Sequence, residues 1–97
     1  MKRIIKSVCI DCTEIKPVQV FGISTIADIL ELHNRHIIPS YDKDNDILCL
    51  DINEDEPLRM KRGCYLVLYD DKTKAVLTVA EYKEKMRAQH LNDCGLF

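Results

Sequence analysis

Apolar positions along this chain fall into short runs of two different periods. Ile4-Ile5 through Ile10, and then Val18-Gln19-Val20-Phe21, are rich in β-branched residues and are separated by Asp11 to Pro17, which is the pattern of two strands. Ile26, Ile29, Leu30, His33 and Ile37 recur at helical spacing until Pro39. With Ser24 and Thr25 as N-cap oxygens and Asp28 in the first turn, they predict an amphipathic helix over about residues 25 to 36. Ile47, Leu48, Leu50 and Ile52 run through an acidic stretch and read as a strand with a charged rim. Leu58 and Met60 alternate with Arg59 and Lys61, Gly63 permits a turn, and Tyr65 to Tyr69 form a strongly β-prone run. Asp70-Asp71-Lys72 then turns the chain into Ala75-Val76-Leu77, completing an antiparallel meander. Thr78-Val79-Ala80-Glu81 has the form of a capping box, and good helix formers continue to about Leu91. The expectation is a single α+β domain over residues 1 to 97, with a small antiparallel sheet of about five strands and two helices. The tail from 92 to 97 is expected to fray unless Leu96 and Phe97 dock.

Composition narrows the function classes. The chain has 97 residues, enough for one core, and no run of about 18 apolar residues that would span a membrane. Lys6, Ser7 and Asp11 interrupt the first apolar stretch before the core of an export signal can form. Five cysteines, an odd number, fit reduced thiols in a cytoplasm better than a secreted disulfide framework. A net charge of −2 argues against a direct, sequence-specific nucleic-acid binder, whose footprint is usually a basic face.

Motifs for chemistry are few. Cys9 and Cys12, followed by His33 and His36, have the donor types of a Cys2His2 zinc site, but the two-residue gap between the histidines is short and His33 falls on the helix's apolar stripe. Buried thiols and a core histidine are the preferred reading, so no metal or cofactor is expected. A redox role would want the cysteine pair at a helix start rather than a strand end. The opening Asp42-Lys43-Asp44-Asn45-Asp46 imitates a calcium loop, yet Ile47 and Asn53 stand where a glycine and a glutamate are required. With glycines only at 22, 63 and 95 there is no phosphate-cradling loop, and no nucleophile motif is visible. The chain therefore reads as a binding protein rather than an enzyme.

Two charged segments are the candidate binding surfaces. Asp42, Asp44, Asp46, Asp51, Glu54, Asp55 and Glu56 form a negative edge suited to a protein partner that itself carries a basic surface. Arg59, Lys61 and Arg62 with Tyr65 and Tyr69 suit a small anionic ligand such as a nucleotide, through ion pairing and ring stacking. The competing reading of both is a solvated charged face. An unpaired sheet edge also makes a homodimer, and hence a structural assembly module, an alternative.

Lys16-Pro17-Val18-Gln19-Val20, a helix, a charged hairpin region, Met60-Lys61-Arg62-Gly63-Cys64-Tyr65-Leu66-Val67-Leu68 and Val79-Ala80-Glu81-Tyr82-Lys83 together resemble the PGDYG family of small phage and prophage proteins. Gly63 and Tyr65 match the family's Pro-Gly-Asp-Tyr signature, with Arg62 and Cys64 in place of its proline and aspartate. The resemblance spans about residues 16 to 85. It implies a small α+β phage accessory protein with no catalytic residues to carry over. By analogy of origin it points to an inhibitor of a bacterial defence system, acting in the manner of an anti-CRISPR by docking on a host effector or by sequestering a nucleotide messenger.

Overall fold

A computed structural model describes residues 2–32, 36–52 and 57–93. In chain order the elements are β1 (Ile4–Cys9), β2 (Asp11–Thr13), β3 (Gln19–Phe21), α1 (Ile23–Leu30), β4 (Ile37–Asp42), β5 (Ile47–Ile52), β6 (Leu58–Lys61), β7 (Tyr65–Tyr69), β8 (Lys74–Leu77) and α2 (Val79–Asp93). The α+β class holds, but the expected single sheet of about five strands does not. The described residues form three antiparallel sheets, ordered β1-β7-β8, β2-β3 and β4-β5-β6.

The extra sheets arise where one apolar run serves two pairings. The first run divides at Ile10: Cys9 pairs with Tyr65, whereas Asp11 pairs with Phe21. Ile10 makes the corner between them. Its amide donates to the Cys64 carbonyl (2.8 Å), the Gly63 amide donates back to its own carbonyl (2.7 Å), and its side chain is fully buried. A corner residue that buries its side chain and satisfies both backbone groups leaves no polar signature in the sequence.

The first helix is shorter than its periodicity predicts and begins differently. Gly22, not Ser24 or Thr25, occupies the N-cap, with φ 70° and no side-chain cap. Two constraints require glycine here. The backbone is left-handed, and a Cβ would sit 2.7 Å from Val8 Cγ2. The helix stops at Glu31, which is also left-handed at φ 56°, while the Leu32 amide closes on the Ala27 carbonyl (2.9 Å). Ile37, counted on the helical stripe in the sequence, is instead the first residue of β4, paired with Ile52. It packs on the same core as Ile26 and Ile29, so the apolar spacing was real but belonged to two elements.

Strand β7 divides the core. Its Leu66 and Leu68 side join Ile10, Cys12, Ile26, Ile29, Leu48, Leu50 and Met60. Its Tyr65, Val67 and Tyr69 side, with Ile4, Ala75 and Leu77, packs under α2 through Tyr82 and Met86. A central strand buried on both faces accounts for the unbroken apolar run of β7.

Helix α2 starts as expected. The Thr78 amide donates to Glu81 Oε1 (3.1 Å) and the Glu81 amide to Thr78 Oγ1 (3.2 Å), a reciprocal capping box. Tyr82 stacks on Tyr65 with ring centroids 3.9 Å apart, and its hydroxyl lies 2.9 Å from Ser7 Oγ. At the far end Gln89 is buried and its amide pairs with the main chain of Ile4 like a strand. Gln89 Oε1 accepts from the Ile4 amide (2.8 Å), and Nε2 donates to the Ile4 carbonyl (3.1 Å). The Arg3 guanidinium engages both Asp93 carboxylate oxygens beyond it.

Candidate interaction surface

The tip of hairpin β4–β5 brings together Asp42, Asp46, Arg59 and Arg62 of the charged residues predicted from sequence. Asp42 and Ile47 are the last pair of its ladder, and Asp46 turns the chain with φ 55°. Asp42 accepts from the Asn45 side-chain amide (2.9 Å) and from Arg59 on β6 (3.2 Å). These bonds, the Asn45 amide first and the Arg59 charge after it, hold the Asp42 carboxyl below its ordinary range.

Beside it, Tyr41 donates its hydroxyl to Asp46, which keeps the phenol protonated above its usual value. The Arg62 guanidinium stands 5.6 Å from the Tyr41 ring centroid and reaches Asp11 Oδ1 at 3.3 Å, while the Arg62 amide donates to the Asp46 carbonyl (3.0 Å). Lys43 and Glu14 lie 3.8 Å apart across the neighbouring β2–β3 turn. The acidic and basic segments, separate in sequence, thus interleave into one exposed plateau of alternating sign. Hydrogen bonds and a cation–π contact fix its donors and acceptors in place.

Not every predicted residue joins that plateau. Asp44 stands exposed at the hairpin tip, Asp51 is exposed on β5 opposite Ile38, and Lys61 is exposed at the end of β6. Arg59 and Lys61 do share the outward face of β6, with Met60 turned into the core. Glu54, Asp55 and Glu56 lie outside the described residues. Tyr65 and Tyr69 are not with the arginines: Tyr65 stacks on Tyr82, and Tyr69 is buried under α2 with the Lys2 ammonium 5.4 Å from its ring centroid. Their faces are already occupied by other side chains.

Of the four zinc candidates, Cys9 and His36 are exposed and Cys12 is buried in the main core, where burial pushes its thiol up. His33 lies outside the described residues. Among the described residues no three His, Cys, Asp or Glu side chains are grouped to hold a metal, and no helix is long and apolar enough to cross a membrane.

A second surface lies between the sheets. A groove of about 340 Å³ is lined by Leu58, Arg59 and Met60 of β6, by Lys74, Ala75 and Val76 of β8, and by Leu30 and Leu66. Successive side chains of a strand point to opposite faces, so three consecutive residues from each of two strands mark strand edges rather than a sheet face. Among the described residues, both β6 and β8 are outermost in their sheets. Leu58 and Val76 remain 37% and 45% exposed on this groove.

No protein-family model, curated protein or solved structure matches the chain. Tyr41, Asp11 and Asn45, which organise the plateau, went unrecognised in the sequence. A signal for them exists. Ile37 to Asp42 and Ile47 to Ile52 flank a four-residue Lys43-Asp44-Asn45-Asp46 turn, which is a hairpin pattern once Ile37 is released from the helix.

Proposed function

We propose that this chain is a non-catalytic binding protein that docks on a protein partner through the plateau at the β4–β5 tip. The observation that carries this reading is the interleaving of Asp42, Asp46 and Asp11 with Arg59, Arg62 and Tyr41 on one exposed face. Fixed alternating charge gives orientation and specificity at a protein interface and selects against partners of the wrong pattern. It suits a polyanionic messenger poorly, since both arginines already face carboxylates and the two tyrosines are engaged elsewhere. In the setting that the family resemblance implies, the partner is a host defence effector and docking inhibits it. That narrower role rests on the resemblance alone.

Calorimetric titration with cyclic dinucleotides and a cyclic oligoadenylate tests the ligand class. The docking reading expects no saturable heat, and micromolar binding lost in the Arg62→Ala variant overturns it in favour of messenger sequestration. Self-association is a second reading, favoured by the outer edge of β8, unpaired among the described residues, and by the exposure of Val76. Sedimentation equilibrium over a wide concentration range decides it: a constant monomer mass removes it.

A further inference from the structure

We infer that the cleft between the start of β1 and the C-terminal half of α2 is a binding site for a small monocarboxylate with an apolar body. The cleft is built from elements other than the β4–β5 tip, so this site stands apart from docking at the plateau.

The cleft has a volume of about 360 Å³ and is lined by Lys2, Ile4, Tyr69, Lys85, Ala88 and Gln89. Small-molecule sites usually enclose about 300–1,000 Å³. Its walls follow from contacts already described. Ile4 lies opposite Tyr69 at the end of the β1–β7 ladder, and the Gln89 amide fastens α2 to the main chain of Ile4.

Three observations define the ligand. First, Tyr69 is only 7% exposed, yet its hydroxyl makes no hydrogen bond to a described residue. Among the described residues Thr13 Oγ1 is the one fully enclosed side-chain polar atom without a partner, so the Tyr69 hydroxyl keeps contact with solvent, and the opening beside Tyr69 is this cleft. A hydroxyl so placed has a proton to give to a ligand there. Gln89 Nε2 adds a second donor, since it gives one of its two protons to the Ile4 carbonyl and no described residue accepts the other.

Second, the charged residues lining the cleft are both lysines. Lys2 is shared with Asp71 at 3.3 Å and stands 5.4 Å from the Tyr69 ring centroid, whereas Lys85 makes no salt bridge among the described residues and acts on Glu81 through its charge alone. Donors and positive charge with no carboxylate in the lining select an anion. Third, Ile4, Ala88 and the Tyr69 ring give the cleft apolar walls. An inorganic phosphate leaves those walls unused, and the lining offers no arginine fork to hold it. A carboxylate on a short apolar body uses both parts, its oxygens at the Tyr69 hydroxyl and Lys85 and its body against Ile4 and Ala88.

Phenylbutyrate is the probe, titrated against the full chain and followed by amide chemical-shift mapping, with phenylbutyramide and inorganic phosphate as controls. The expected result is saturable binding with shifts concentrated at Ile4, Tyr69, Ala88 and Gln89, and at least about fivefold weaker binding of the uncharged amide. Tyr69→Phe should weaken binding by about tenfold, the size of a hydrogen bond to a charged group, while leaving the urea midpoint unchanged, because the hydroxyl has no partner within the protein to lose. Lys85→Met should weaken it by about two- to fivefold. Lys83→Met, on α2 but outside the lining, should leave it unchanged. Binding undiminished in Tyr69→Phe, phenylbutyramide or phosphate binding as tightly as phenylbutyrate, shifts away from the four named residues, or no saturation by about 10 mM each overturn the inference.

Discussion

Replacing Gln89 by leucine should unfasten the end of α2 from β1, and the cost follows from two hydrogen bonds. Gln89 is 7% exposed, and its amide completes both main-chain groups of Ile4. Leucine keeps the approximate size and removes both partners. Each buried backbone group left unsatisfied costs about 1–3 kcal/mol. The lower half of that range applies here, since a cleft lined by Lys2, Ile4, Tyr69, Lys85 and Ala88 adjoins the site and lets water reach it. A loss of about 2–4 kcal/mol is expected, against a total stability on the order of 5–15 kcal/mol for a domain of this size, so the variant still folds.

Urea denaturation followed by circular dichroism measures the loss, and amide exchange at Ile4 should accelerate more than at Val67. Gln89→Glu sharpens the test. Its carboxylate can accept from the Ile4 amide but would face the Ile4 carbonyl without a donor, so its folded pKa should lie above the unfolded value. The stability contributed by the protonated acid is present below the unfolded carboxyl range and is lost as pH rises through the folded pKa. The gap between this variant and the parent should therefore narrow on acidification. A leucine variant within about 0.5 kcal/mol of the parent, the range of an ordinary surface change, would refute the reasoning.

Three further perturbations have defined outcomes. Gly22→Ala should cost about 2–4 kcal/mol, from the left-handed backbone and the 2.7 Å approach to Val8, read as a lowered urea midpoint with unchanged slope. Thr78→Ala should cost about 1 kcal/mol and raise exchange of the Glu81 amide, because only one half of the capping box survives. Asp93, Glu81, Asp42 and Asp71 all have carboxyls held below their ordinary values by hydrogen bonds, from Arg3, Thr78, Asn45 and Thr73 respectively. Their contribution is present above the unfolded carboxylate pKa of about 4 and is lost as pH falls through the lower folded values. Chemical denaturation between neutral and strongly acid pH should show that fall, with a shallower one in Asp93→Asn.

How far the fold was legible depends on whether a signal was local. The capping box at Thr78 and Glu81, the β-prone run of Tyr65 to Tyr69 and the apolar run through Leu48 and Leu50 are periodicities or short motifs, and each is realised as the helix start, β7 and β5. The splitting into three sheets was not legible, because it depends on Ile10 leaving one ladder for another through bonds to Cys64 and Gly63, more than fifty residues away. The end of α1 was missed because Ile37 serves the same core from a strand. Charge singled out segments whose spatial grouping differs from their grouping along the chain. Arg59 and Arg62 were read with the nearby Tyr65 and Tyr69, whereas alternation along β7 sends both tyrosines under α2. The aromatic partner of Arg62 is Tyr41, brought across by hairpin pairing.

Native mass spectrometry of the protein purified gently from a bacterial expression strain, beside the variant carrying Asp42→Lys, Asp44→Lys and Asp46→Lys, is the decisive measurement. Docking through the plateau predicts a polypeptide partner bound in fixed stoichiometry to the parent chain and absent from the charge-reversed one at equal folded content. A nucleotide mass on the parent monomer, or a polypeptide partner retained undiminished by the variant, would contradict it.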